Sequence, residues 1–329
     1  MADSGHEETE KVIRDIEKKI SKIYDQASKE VDAKLEKYYE RFEIKNEQKL
    51  NLLNEGKISK SEYTQWYHGQ MCIGRRWQEM RDTLAEDYVN ANNIARSVIQ
   101  EHIPEVYALN HNYATFQVEK DSLVDTSYTL YNRQTVEYLM RDDQILLPFA
   151  RSGSKTAELL RERADLIWNR QKVSNAITQG VLQGESIPQI SKRLQKVTDM
   201  NHSAATRNAR TMMTGAQNKG RQDAYSDLRS KGIELAEKWL STLDGRTRHS
   251  HMAMHGEYKD PKTGTFSNGL EYPGDPFGEP EEVYNCRCTM IAEVEGFSIE
   301  TPETSPKLGD MSFEEWQHEH ERREKIQGD

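Results

Sequence analysis

Residues 13–42, IRDIEKKISKIYDQASKEVDAKLEKYYERF, set Ile13, Ile16, Ile20, Ile23, Ala27, Val31, Leu35, Tyr38 and Phe42 at steps of three and four. That period keeps them on one face of an α-helix, with Lys and Glu filling the other face. So narrow a stripe cannot hold a long helix in water unaided, which predicts a partner helix or a second protein. Asn54-Glu55-Gly56 predicts its end. Ser59-Lys60-Ser61-Glu62 then has capping-box spacing and predicts a second helix, rich in Tyr and Trp. Its expected limit is Ile103-Pro104, because a residue before proline is biased away from the helical region. Together the two segments read as an N-terminal helical hairpin, a spacer or docking architecture.

Further along, residues 105–153 read as loops and short helices, with a boundary expected near Arg151-Ser152-Gly153-Ser154. Helices are predicted over 155–179, from Ser186-Ile187-Pro188, and from His202-Ser203 to Ser230, the last closed by Lys231-Gly232. After Gly232 the texture changes. Leu235 to Leu240 reads as a short strand, Asp244-Gly245 as a turn, and Tyr284 to Val294 as a last strand or extended segment. The fold class expected is mainly α with a small α+β C-terminal module. Its parts are a helical docking or spacer region over 1–150 and a domain over 151–296, made of helices 155–231 and a loop-rich module 233–296. An acidic tail over 297–329 is expected to be disordered or to order on a partner, with one short helix near Phe313–Trp316. So small a loop-rich module needs a staple or a larger body to dock on.

The chain has 329 residues, 35% hydrophobic and 30% charged, with a mean hydropathy of −0.92. Long solvated helices with thin apolar faces fit these figures better than one large core. No window comes near the roughly 18 apolar residues of a membrane span. The acidic, polar start Met1-Ala2-Asp3-Ser4-Gly5 predicts no signal peptide. Three cysteines cannot frame a disulfide scaffold, so a reducing, intracellular setting is expected. A net charge of −10 argues against a general nucleic-acid coat. Residues 151–250, however, hold 18 Lys and Arg against 10 Asp and Glu. That +8 stretch between acidic ends could meet DNA or an acidic surface locally.

The densest chemistry lies over 239–288: Trp239, Asp244, Arg246-Thr247-Arg248, His249, His251, His255-Gly256, Tyr272-Pro273-Gly274-Asp275 and Asn285-Cys286-Arg287-Cys288. Zn²⁺ takes four S or N ligands. Cys286, Cys288, His251 and one of His249 or His255 would supply them, with His255 the fourth choice and zinc the candidate metal. Thiols at i and i+2 share one side of an extended segment. Against this stands a plain reading, in which the thiols are buried and inert and the histidines hydrogen-bond the loops. A nucleophilic Cys/His pair lacks an oxyanion site and an orienting carboxylate, and a His/Asp nuclease lacks paired carboxylates. No Walker loop, GxGxxG or HExxH occurs. Asp244 can cap its turn and pair with an arginine, and Trp239 reads as a core anchor.

At these residues the sequence resembles the phage Mu F-like family of minor head proteins, the head morphogenesis family of tailed bacteriophages. The resemblance covers about 155–294. It is carried by Ala209-Arg210-Thr211 with Gln217-Asn218-Lys219-Gly220-Arg221; by Trp239, Asp244, Arg246, Thr247, Arg248, His251 and Gly256; and by Pro273, Asp275, Asn285, Cys286, Arg287 and Cys288. It implies a low-copy, non-catalytic minor capsid component that associates with the portal protein and with other capsid or scaffold proteins. Such a component acts in procapsid assembly, in the host cytoplasm, and is carried inside the virion head near packaged DNA. Some relatives carry cysteines where this chain has Arg248 and His251.

Two other readings compete with that one. An enzyme in 239–291, a metal-dependent hydrolase or a toxin-type transferase, predicts His251, Asp244 and Arg246 converging on a pocket. A DNA-binding accessory protein predicts affinity that falls steeply with salt.

Overall fold

The computed structural model describes residues 3–70, 74–141, 155–183, 185–297 and 305–327. The expected boundary at Arg151-Ser152-Gly153-Ser154 and the lone Cys72 lie outside them. In order, the elements are α1 (Ser4–Asn54), α2 (Lys60–His68), α3 (Arg75–Ser122), α4 (Arg133–Arg141), α5 (Lys155–Leu182), α6 (Ile187–Ser230), β1 (Ile233–Leu240), α7 (His249–Ala253), α8 (Pro280–Val283), β2 (Thr289–Phe297), a 3₁₀ turn (Pro306–Asp310) and α9 (Phe313–Gln327). The fold is mainly α with one small antiparallel sheet, as the sequence patterning predicts. The chain divides into two compact units: Met1–Ile16, Ile99–Ser152 and Arg207–Asp329 form the first, Glu17–Val98 and Gly153–Thr206 the second.

The second unit is built on the apolar stripe. Val31, Leu35, Tyr39 and Phe42 of α1 pack with Trp77, Met80, Leu84 and Tyr88 of α3, Val173 and Ile177 of α5, and Ile190, Leu194 and Val197 of α6. The buried face passes through Tyr24 and Tyr39, whereas Ile23 and Tyr38 are only half-buried. Polar residues cross this core in one file. Tyr24 donates to Asn92 (2.6 Å), Asn92 to Asn201 (3.0 Å) and Asn201 to Asn169 (2.9 Å). The capping box forms at Ser59, whose hydroxyl accepts from the Glu62 N–H while Glu62 accepts from the Ser59 N–H.

Three helix limits differ from the sequence reading. The helix expected from Ser59 to Ile103 is two, α2 ending at His68 and α3 beginning at Arg75. α3 runs past Pro104 to Ser122. Proline costs an N–H bond there, but Val106, Tyr107, Ala108, Asn110 and His111 just beyond it are buried and keep the turn packed. α6 shows no break at His202-Ser203. Thr198 and Asn201 bond back to the carbonyls of Leu194 and Val197, so they cap no new helix.

In the first unit β1 and β2 pair antiparallel, with Trp239 opposite Met290 and Leu240 opposite Thr289. β1, Ile233–Leu240, starts two residues before the expected Leu235 and ends at Leu240 as expected; β2 spans Thr289–Phe297 where Tyr284 to Val294 was expected. Ala114, Val118, Ala224, Tyr225, Leu228, Ile233, Leu235, Tyr272 and Met290 make one core beneath this sheet. α6 meets α3 closely at Gly220, where any Cβ would lie 2.5 Å from the Tyr107 carbonyl oxygen.

The tail is a correction. Residues 305–327, expected to be disordered or to order on a partner with one short helix near Phe313–Trp316, form a 3₁₀ turn and the longer helix α9. Ser312 and Glu315 make a capping box. Trp316 is buried with Tyr113, Phe116, Tyr128 and Leu308, and its indole N–H donates to Glu119 at 2.7 Å. His320 is hydrogen-bonded to the Tyr128 carbonyl at 2.9 Å. The partner that orders the tail is the chain's own unit, through the Phe313–Trp316 segment.

Candidate functional site

The candidate site starts from the edge of β1. The stretch after α7 lies along that edge, with the Trp239 N–H donating to the Glu257 carbonyl (2.8 Å) and the Gly256 N–H to the Trp239 carbonyl (2.9 Å). Gly256 has φ +84, a left-handed turn that suits glycine. This return sets α7 beside Trp239, and the Trp239 ring meets His251 edge to face at 5.3 Å. The Trp239 indole donates to Ser241 (3.1 Å), whose hydroxyl bonds the His251 carbonyl.

Opposite His251 stands the Asn-Cys-Arg-Cys run. Asn285 adopts φ +57, a left-handed conformation that asparagine tolerates better than most residues. The turn brings both sulfurs to one imidazole nitrogen. Cys286 Sγ lies 3.6 Å and Cys288 Sγ 3.4 Å from His251 Nδ1. All three residues are buried, and their three ligand atoms lie within 4.8 Å of one another. His251 Nε2 is 2.8 Å from Glu282 Oε2 on α8. The hydrogen bond from Cys286, with that of His251, pulls the Cys288 thiol down; the same bond and burial push Cys286 up.

The other predicted residues surround this cluster without joining it. His255 is exposed, and its Nδ1 accepts the Ser241 N–H at 3.2 Å; His249 is exposed. Asp244 accepts the Arg246 N–H (2.9 Å) and holds Arg287 through both carboxylate oxygens, one at 2.7 Å. The Arg287 hydrogen bonds, then the Arg246 N–H, keep the Asp244 carboxyl well below the usual carboxylate range. Arg246 itself is 81% exposed. Thr247 bonds the Thr242 carbonyl, and Arg248 the Tyr284 carbonyl. Asp275 accepts the N–H groups of Glu271 (3.1 Å) and Phe277 (3.0 Å), closing the turn after Pro273. His251 is thus engaged with Cys286, Cys288 and Glu282, whereas Asp244 is engaged with Arg287 and Arg246.

α6 holds this module through buried polar side chains. The Asn218 amide donates to the carbonyls of Thr214, Pro273 and Cys288, and its oxygen accepts from the Thr289 hydroxyl and the Met290 N–H. Thr214 donates to the Cys286 carbonyl (2.8 Å), and Thr211 accepts the Asn285 N–H (3.1 Å). Arg221, fully buried, donates to the Met290 carbonyl (2.9 Å), to Asn110 and to Asp3. Arg210 pairs with Glu10 at 2.8 Å. Thr214 and Glu282 carried no signal in the sequence: each acts on residues far from it along the chain.

Comparison with known proteins shows what this chain is similar to. Residues 171–291 match the family model described as Phage Mu protein F like protein. The chain is 21% identical over 287 residues to Minor head protein GP7 of Bacillus phage SPP1, covering 87% of this chain and 84% of that protein. It is also 28% identical over 229 residues to NAD(+)--arginine ADP-ribosyltransferase EFV of Enterococcus faecalis (strain ATCC 700802 / V583). That match covers 67% of this chain and only 46% of the transferase, less than half its length. No solved structure matches. Over residues 171–291 the chain is thus similar to the Mu F-like phage head proteins, within the 155–294 stretch whose motifs carry the resemblance. Among the described residues no helix is long and apolar enough to cross a membrane.

Proposed function

We propose that this chain is a minor head protein that docks on the portal of a tailed phage or prophage and acts in procapsid assembly without turnover. The observation that carries the reading is the match to a minor head protein along 84% of that protein's length. Its place is the virion head, with the host cytoplasm during assembly and other capsid or scaffold proteins as further partners. The chemistry of the C-terminal module supports a structural role, because the motif side chains are spent on one another and on backbone. Leu159, Leu160, Ile167 and Trp168 of α5 stay exposed, an apolar surface of the kind that partner proteins cover. Co-expression with the portal protein encoded beside it tests the reading. The chain should co-elute with portal rings, and the double variant Leu160→Glu, Ile167→Glu should elute alone. Separate elution of the unaltered chain would overturn the proposal.

The transferase relative favours a second reading, an enzyme in 239–291, either transferase-like or a metal-dependent hydrolase. More than half of that relative lies outside the match. The test is transfer of ADP-ribose from NAD⁺ to arginine acceptors, and transfer that is lost in His251→Ala would establish it. DNA contact through 151–250 is the weaker expectation. Cations there already have acidic partners outside the stretch, Arg170 with Asp82, Arg210 with Glu10 and Arg221 with Asp3.

A further inference from the structure

We propose that His251 Nδ1, Cys286 Sγ and Cys288 Sγ bind one zinc ion as a structural staple, with Glu282 fixing the histidine from outside. Zn–S near 2.3 Å and Zn–N near 2.0 Å at tetrahedral angles imply S···N edges of about 3.5 Å and an S···S edge of about 3.8 Å. The two S···N distances, 3.6 and 3.4 Å, are such edges, and all three atoms fall within 4.8 Å.

Both sulfurs converge on the single Nδ1 lone pair, which can accept only one S–H. A metal satisfies all three atoms at once. Glu282 settles which nitrogen faces the sulfurs: a proton held on Nε2 by the carboxylate at 2.8 Å leaves Nδ1 as the free donor. A carboxylate behind a ligating histidine is the usual outer partner of such a metal. Two thiolates also neutralise a dication, so the buried centre carries no net charge. Sulfur and imidazole donors select zinc over magnesium or calcium. Among the described residues no fourth His, Cys, Asp or Glu atom shares the cluster, so the protein supplies three of the four zinc positions. The supports already described, left-handed Asn285, the Asp244–Arg287 clamp and the Thr214 bond to the Cys286 carbonyl, hold both sulfurs in place.

Elemental analysis of the full chain, grown with zinc and dialysed against metal-free buffer, tests the assignment. About one zinc per chain is expected, lost in Cys286→Ser and Cys288→Ser and retained in His249→Ala and His255→Ala. Glu282→Gln should keep the stoichiometry and weaken zinc affinity by about 10–100-fold. Should the serine variants fail to fold, the cobalt-exchanged unaltered chain still reports through thiolate-to-cobalt charge-transfer bands of a tetrahedral site. A chain that holds no zinc, melts identically with and without chelator and shows no such bands overturns the proposal. So does zinc that leaves with His255→Ala while Glu282→Gln binds it unchanged.

Discussion

The helical second unit and the C-terminal module of the first are held by opposite means. In the helical unit a long row of apolar side chains shares the burden, from Val31 to Val197, and each contributes a fraction. In the module a few polar side chains each serve several partners. Asn218 alone satisfies three carbonyls, a hydroxyl and an N–H. Apolar packing is non-directional and forgives exchange of shape, whereas a buried amide with five partners forgives nothing. The module's residue pattern is therefore a pattern of hydrogen-bonding roles, and this is what makes it recognisable from sequence.

The largest expected effect comes from removing the hub while keeping its volume. Asn218→Leu should cost about 3–5 kcal/mol, since the orphaned carbonyls and N–H stay buried. Denaturant unfolding measures it, and a cost under about 1 kcal/mol would place the module with the forgiving class. Trp316→Ala should cost about 3 kcal/mol and expose the segment after Ser305 to proteolysis. An unchanged digestion pattern would mean that the tail does not need its anchor.

Acid sharpens the same contrast. Burial pushes the Asp3 carboxyl up, but Arg221 more than cancels this and leaves it below the ordinary range. A carboxylate with a depressed folded-state pKa adds stability above its unfolded value, about pH 4, and loses it as pH falls through the folded value. Asp3→Asn should flatten that acid-side slope of the melting curve, whereas the apolar stripe has no group that titrates in acid. The volume-conserving exchange Leu35→Met should cost less than about 1.5 kcal/mol. Arg246→Ala, at an exposed side chain, should fall within about 0.5 kcal/mol of the unaltered chain.

Legibility followed the same divide. Period carried α1 well, because 3.6-residue spacing is itself the packing rule; only the drift from Ile23 to Tyr24 and from Tyr38 to Tyr39 escaped it. Pro104 was over-read, since buried neighbours outweigh the missing N–H. His202-Ser203 was over-read too, since the polar residues just before it turn back onto their own helix. The helix near Phe313–Trp316 is legible, but its run to Gln327 and its Ser312–Glu315 capping box are not read from so acidic a tail. For the site, Cys286, Cys288 and His251 were visible as a group because alternation puts i and i+2 on one side. Glu282 was not, being a neighbour of His251 only in space. Nor could spacing assign Asn218 its work, since all but one of its partners lie more than 50 residues away.

The central claim is that the motif residues are clamps that fasten the module to α6. Backbone hydrogen exchange in Asn218→Leu tests it most directly. Protection should fall in β2, from the Met290 amide onward, while the α1, α3 and α5 amides of the helical unit exchange as in the unaltered chain. Uniform loss across both units, or β2 protection left intact, would contradict it.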